Sequence, residues 1–190
     1  MKDIWNKIQT IIYSVDNKSG NSFNKPAMDS EINLLKSYFD KNIPNDFIEY
    51  LKIYNGQTHN NFEIQPFSYY SFIPVNEIVD IIKTQNELWK NEDIINWISE
   101  NKIKPKVWDK NWLPIASEST SYLILDLNPG KNGIFGQIFQ LFSGMDYEDN
   151  KVVLADSFLE FSELLINKLE NNDYEIEEDE PIIIFKDDWL

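Results

Sequence analysis

The stretch Asn42–Gln57, NIPNDFIEYLKIYNGQ, constrains the fold most, because it carries a start, an apolar stripe and a stop for one helix. Pro44 suits the first helical position, where its missing N–H is no loss, and Asn42 just ahead is a candidate N-cap. Asp46 and Glu49 sit where the positive end of a helix dipole favours acids. Phe47, Leu51 and Tyr54, with Ile48 and Tyr50 beside them, make an apolar stripe at helical spacing. Gly56 is placed to close the helix, since glycine takes positive φ at least cost. The stretch is a buried-face helix with a sharp exit, and none of its residues demands a chemical role.

Around it the periodicity predicts an alternation of helices and short strands. Ile4, Ile8, Ile11, Ile12 and Val15 share a face over residues 3–15, with Asp3 as a cap. A polar loop is expected over Asn17–Pro26. A helix follows over 30–39, capped by Asp29 or Ser30, with Ile32, Leu35, Tyr38 and Phe39 inward. Short strands are expected at Phe62–Phe67 and Ser68–Ile73. A helix is expected over Asn76–Trp89, with Ile78, Ile81, Ile82 and Trp89 inward, and a shorter one over Glu92–Ser99. Strands then read at Trp112–Ala116, Tyr122–Leu127, Ile134–Phe142 and Lys151–Leu154, with turn signals at Asn128-Pro129-Gly130 and Asn132-Gly133. Ser157–Leu169 is a helix with Phe158, Phe161, Leu165 and Leu169 as its stripe. Asn171–Glu180 reads as an exposed acidic loop, and Ile182–Phe185 as a last strand that tethers it.

A chain of 190 residues fits one domain with a sizeable core, burying roughly 70% of its unfolded surface. With no cysteine, disulfides, thiolate metal sites and cysteine nucleophiles are excluded. Lys7 and Gln9 interrupt the N-terminal apolar run, and no apolar run approaches ~20 residues, so a soluble cytoplasmic protein is expected, with no membrane partner. The net charge of −15 is uneven: residues 1–145 hold 17 acids and 14 lysines, net −3, whereas residues 146–190 hold 15 acids and 3 lysines, net −12. Arginine is absent. Such a chain repels nucleic acid, and its C-terminal quarter attracts a basic partner.

Several groups of residues carry a resemblance. Glu31 at a helix start, Pro44-Asn45-Asp46-Phe47, Asn55-Gly56, Trp112-Leu113-Pro114-Ile115-Ala116, Leu123-Ile124-Leu125-Asp126-Leu127, Gly136-Gln137-Ile138 and Ala155-Asp156-Ser157-Phe158 follow one another in an order that resembles the SUKH superfamily. That superfamily includes fungal cell-wall regulators of the Smi/Knr type and bacterial toxin-immunity proteins. The resemblance covers about residues 28–170. It implies an α+β fold, a mainly antiparallel sheet packed against several helices, and a binding or inhibitory role more often than catalysis. One departure is Ser117-Glu118-Ser119-Thr120-Ser121, which stands where the family has a glycine-rich turn. Residues 1–190 are expected to form a single domain of this type, with 171–190 an acidic loop plus strand outside the matched part.

Candidate chemistry is thin. His59 is the only histidine and cannot by itself build a metal cluster or a catalytic triad. Gly130–Gly136 lacks the Gly-Lys-Ser/Thr ending of a phosphate loop and has no helix after it, so it is a hairpin turn. Lys102, Lys104, Lys106 and Lys110 interleave with Trp108 and Trp112, which suits a solvated connection with its tryptophans in the core. Of carboxylates that could pair for hydrolysis, only Glu31 at a helix start and Asp126 at a strand end can be placed, nothing brings them together, and each is explained without catalysis, by a helix dipole and a turn. Neither enzymatic activity, nor a cofactor, nor a metal is therefore expected. The sharper feature is acidic: Asp146, Glu148 and Asp149, then Glu170, Asp173, Glu175, Glu177, Glu178, Asp179 and Glu180, with Tyr147 and Tyr174 among them. These twelve residues form a candidate surface for a basic protein, tyrosine being common at interface hot spots. Together with the resemblance they lead to an immunity protein that neutralises a cognate basic toxin such as a nuclease. The alternative is an intracellular adaptor or regulator. Oligomeric state has no signature in the sequence.

Overall fold

The computed structural model describes residues 1–15, 17–58, 67–90, 101–141, 153–176 and 183–186. The elements in chain order are α1 (Lys2–Val15), α2 (Asn17–Gly20), α3 (Asp29–Lys36), α4 (Asn45–Leu51), β1 (Ser71–Phe72), α5 (Val75–Leu88), β2 (Trp112–Glu118), β3 (Ser121–Asp126), β4 (Ile138–Leu141), β5 (Val153–Ala155), α6 (Phe158–Glu170), β6 (Tyr174–Ile176) and β7 (Ile183–Phe185). The first five strands form one antiparallel sheet in sequence order, and β6 and β7 pair with each other in a second. The chain is an α+β protein, as its resemblance implies.

Both faces of the main sheet are covered, which is why its strands read as nearly continuous apolar runs. Leu113, Leu123, Leu125 and Ile138 face the main core, with residues of α1, α3, α4, α5 and α6. Trp112, Ile124, Phe139 and Leu141 face a second cluster with Ile103 and Trp108, so the lysine-rich connection does bury its tryptophans. Pro114 is tolerated inside β2 because the register slips between Pro114 and Ala116. The extra residue turns Ile115 and Ala116 both into the main core, the usual place for a proline that cannot donate to the ladder.

The centre of the main core is Trp5. Its ring lies 4.4 Å from Tyr50, 5.1 Å from Phe72 and 5.8 Å from Phe158, the last stacked at 5°. Its indole N–H donates to Ser162 Oγ at 3.1 Å, and that hydroxyl donates to the Phe158 carbonyl. One side chain thus joins α1, α4, β1 and α6. The buried stripe of α1 is Trp5, Ile8 and Ile12, while Ile4, Ile11 and Val15 are only partly buried.

The organising helix differs from expectation at both ends. Pro44 occupies the N-cap position, so Asn42 caps nothing, and the helix ends at Leu51. Ile53 and Tyr54 N–H both donate to the Tyr50 carbonyl at 2.8 Å and turn the chain out before Gly56 is reached. Gly56 has the positive φ foreseen, 65°, but the backbone of Ile73 and Pro74 decides it: a Cβ there would fall 2.4 Å from the Ile73 carbonyl carbon. Met28, not Asp29 or Ser30, is the N-cap residue of α3. The Asn17–Pro26 loop contains α2 and a bridge from Phe23 to Gln57. The strand expected over Ile134–Phe142 begins only at Ile138, because Gly136 takes φ 89° and the preceding residues fold into a turn; it is described as far as Leu141, Phe142 lying outside the described residues. Within the expected Asn171–Glu180 loop, Tyr174–Ile176 instead form β6, paired to β7 as Tyr174↔Phe185 and Ile176↔Ile183, and 177–180 lie outside the described residues. Ile183 and Phe185 are buried in the main core, and the Ser68 N–H donates to the Ile183 carbonyl at 2.8 Å. The Phe62–Phe67 strand (but for Phe67), the Glu92–Ser99 helix, Lys151, Val152 and His59 lie outside the described residues.

The serine-rich turn has a physical reading. Glu118 pairs with Ser121, so Ser119 and Thr120 form a two-residue hairpin loop, and Ser119 takes φ 51°. Such loops favour glycine because an L side chain is strained there by about 1 kcal/mol. Ser119→Gly is expected to leave stability unchanged or raise it by up to about 1 kcal/mol, whereas Ser119→Val lowers it, both read by denaturant unfolding. Trp5→Ala is expected to cost about 3–5 kcal/mol in the same measurement.

Candidate functional site

The polar residues that carry the sequence motifs turn out to close backbone. Glu31 Oε2 accepts from the Met28 N–H at 2.7 Å, the reciprocal half of a capping box. Asp46 does more than suit a dipole. Its Oδ1 accepts from the Phe47 N–H at 2.8 Å and its Oδ2 from the Leu159 N–H at 2.9 Å. It therefore caps α6 from α4, alongside Ser157, whose Oγ accepts from the Glu160 N–H at 3.1 Å. Asn55 Oδ1 accepts from the Val75 N–H at 2.8 Å and so caps α5. Fully buried Gln57 accepts from the Phe72 N–H at 2.9 Å and donates to Ser22 Oγ at 3.0 Å.

Asp126 and Gln137 form another buried clasp, at the end of β3. Gln137 Nε2 donates to Asp126 Oδ2 at 3.1 Å and to the Lys102 carbonyl at 2.9 Å, while its Oε1 accepts from the Ile134 N–H at 3.0 Å. Asp126 Oδ1 accepts from the Asn128 N–H at 2.8 Å. Asp109 stands beside it, accepting from the Asn111 N–H at 2.9 Å and from Asn128 Nδ2 at 3.1 Å, with Lys106 Nζ at 3.2 Å. Burial pushes the Asp126 carboxyl up to about 6 against the pull of the Asn128 and Gln137 hydrogen bonds. Burial works on Asp109 in the same direction, but the Asn111 amide and the Lys106 charge outweigh it and hold that carboxyl below its ordinary value. The two carboxylates considered for hydrolysis, Glu31 and Asp126, are thus each committed to amide hydrogens. Among the described residues no group of His, Cys, Asp or Glu is placed to hold a metal.

Of the acidic candidates, Glu170, Asp173, Tyr174 and Glu175 are described; Asp146, Tyr147, Glu148, Asp149, Glu177, Glu178, Asp179 and Glu180 lie outside the described residues. Glu170 ends α6 in an ion pair with Lys7. Lys168 Nζ meets Asp173 Oδ2 at 2.8 Å and the Lys186 carbonyl at 3.0 Å, fastening the β6–β7 hairpin to α6. Tyr174 is half-buried against the main core, and Glu175 points to solvent. The structure therefore gathers these four at the C-terminal end of α6, with two of the charges matched by lysine.

The model of the SMI1 / KNR4 family (SUKH-1) matches residues 26–164. The chain belongs to this family. A comparison with curated proteins gives no match. Membership of SUKH-1 places the chain among protein-binding domains of the immunity and regulator kind, a family that is generally non-catalytic. The matched span contains every clasp from Glu31 to Gln137, while α1 with Trp5 and the β6–β7 hairpin lie outside it. No described helix is long and apolar enough to cross a membrane. Asp46 is expected on the helix dipole and within the Pro44-Asn45-Asp46-Phe47 motif, whereas its cap on α6 and the roles of Gln57 and Asp109 have no signal in their local sequence.

A carboxyl raised in the fold is protonated more readily there than in the unfolded chain. Its contribution to stability is therefore full below pH ~4 and lost as pH rises to about 6, a swing of roughly 3 kcal/mol at most. A carboxyl-carbon NMR titration is expected to find one aspartate with its midpoint at about 6, absent in Asp126→Asn. A midpoint for Asp126 near that of a free aspartate contradicts the burial assigned to it.

Proposed function

We propose that this SUKH-1 protein is a cytoplasmic immunity protein that binds and neutralises a cognate basic toxin, such as a nuclease, without a cofactor. The observation that carries this reading is the net charge of −12 in residues 146–190, most of which lies beyond the residues matched to the family. A field of that sign steers a basic protein to the surface and raises the rate of encounter. Carboxylates presented in a row also imitate the phosphates that a nuclease is built to hold. Asp146, Tyr147, Glu148, Asp149, Glu170, Asp173, Tyr174, Glu175, Glu177, Glu178, Asp179 and Glu180 are the proposed contact set. Glu170 and Asp173 contribute least to the charge, since each already faces a lysine.

The match to SMI1 / KNR4 also supports a second reading, an intracellular adaptor or regulator that binds host proteins. Growth rescue separates the two. The domain encoded beside this gene is expressed alone and together with this protein. Killing by the neighbour and survival with both support immunity. A harmless neighbour, or toxicity that persists, supports the regulator. With a toxin in hand, reversing Glu177, Glu178, Asp179 and Glu180 is expected to slow association at least tenfold at low salt, with the difference shrinking as salt rises past a screening length of ~8–10 Å. An unchanged association rate removes these residues from the interface.

A further inference from the structure

The clasp at Asp126 and Gln137 has an outer side. By accepting from the Ile134 N–H and receiving Gly136 against the Asp126 carbonyl at 2.8 Å, it fixes the β3–β4 turn with two large apolar residues outward. Ile134 is 47% exposed and Phe135 45% exposed. Adjacent apolar side chains in a rigid turn differ from the scattered exposed leucines of an ordinary surface. The turn is rigid because Gly136 has positive φ and packs against Pro44, and because Gly130 N–H bonds to the Lys102 carbonyl.

The charge around this pair opposes that of the chain as a whole. Lys41 Nζ lies 5.9 Å from the centre of the Phe135 ring and 3.5 Å from Asn128 Oδ1. Lys131 is exposed in the same turn. Of the neighbouring acids, Asp40 pairs with Lys110 at 2.8 Å and Asp109 with Lys106 at 3.2 Å. A carboxylate bound to Lys41 would stand at the edge of the Phe135 ring.

We infer that the Ile134–Phe135 corner, rimmed by Lys41 and Lys131, is a second interaction surface whose occupant is an acidic protein segment carrying an aliphatic or aromatic anchor. The anchor packs on Ile134 and Phe135, and flanking carboxylates meet the lysines. This surface is opposite in charge to the C-terminal quarter, so it takes a different partner and does not depend on the immunity reading.

The test titrates the isotope-labelled full chain with three short synthetic peptides, followed by amide NMR. One is rich in Asp and Glu around a Phe-Leu pair, one has that pair replaced by Ser, and one has its acids replaced by Lys. The first peptide is expected to move the signals of Lys41, Asn128, Phe135 and Gly136, and the other two are not. Phe135→Ser and Lys41→Glu, both at exposed positions, are each expected to weaken binding about tenfold with the fold retained by near-ultraviolet circular dichroism. Shifts confined to other residues, an equal response to the Ser or Lys peptide, or binding unchanged in both variants overturns the inference. Sedimentation of the chain alone assigns the corner to a second copy, and overturns it equally, if self-association is present and Phe135→Ser abolishes it.

Discussion

The structure depends on closing backbone amides where short elements meet. α3 and α4 span 8 and 7 residues, and any helix leaves its first four N–H groups without internal partners. In a fold of short helices on a short sheet, the share of orphan amides is therefore large, and many of them are pressed against apolar neighbours. Leaving one unpaired there costs as much as a lost hydrogen bond. Asp46 on Leu159, Asn55 on Val75, Gln57 on Phe72 and Gln137 on Ile134 each supply the missing acceptor across 3 to 113 residues of sequence. The hydrogen bonds therefore do two things at once, ending one element and setting the position of another.

This gives the SUKH-1 pattern a physical content. Its polar residues are acceptors at element ends, and its apolar ones fill the core between them. That arrangement leaves the outer surface free to vary, which suits a scaffold used for binding different proteins. The N-terminal end of α6 lies near Pro44 and the lysine-rimmed Phe135 corner, and its 13 residues lead roughly 20 Å away to the acidic hairpin fastened by Lys168.

Much of this was legible from residue spacing. The stripes of α5 and α6, the meander of β2 and β3, and the buried tryptophans of the lysine-rich connection all follow from apolar periodicity, which is strong when burial is one-sided. What escaped has identifiable causes. Trp5 belongs to a stripe with Ile8 and Ile12, but four isoleucines and a valine on an overlapping face concealed it. β6 is three residues, Tyr174–Ile176, inside an acidic run, and only its pairing with β7 makes it a strand. The turn before β4 looked like strand because Ile134 and Phe135 alternate correctly; Gly136 breaks the alternation through a positive φ that composition does not reveal. The acidity of residues 146–190 was legible as charge, whereas the lysines that neutralise Glu170 and Asp173 are brought in by the fold from Lys7 and Lys168.

Native-state hydrogen exchange on the amides of Leu159, Val75, Phe72 and Ile134 tests the central claim most directly. If side-chain acceptors close these groups, all four are expected to be strongly protected, and Asp46→Ala is expected to release Leu159 while leaving Val75 and Phe72 protected. Exchange of these amides at the rate of open loops in the unaltered protein would contradict it.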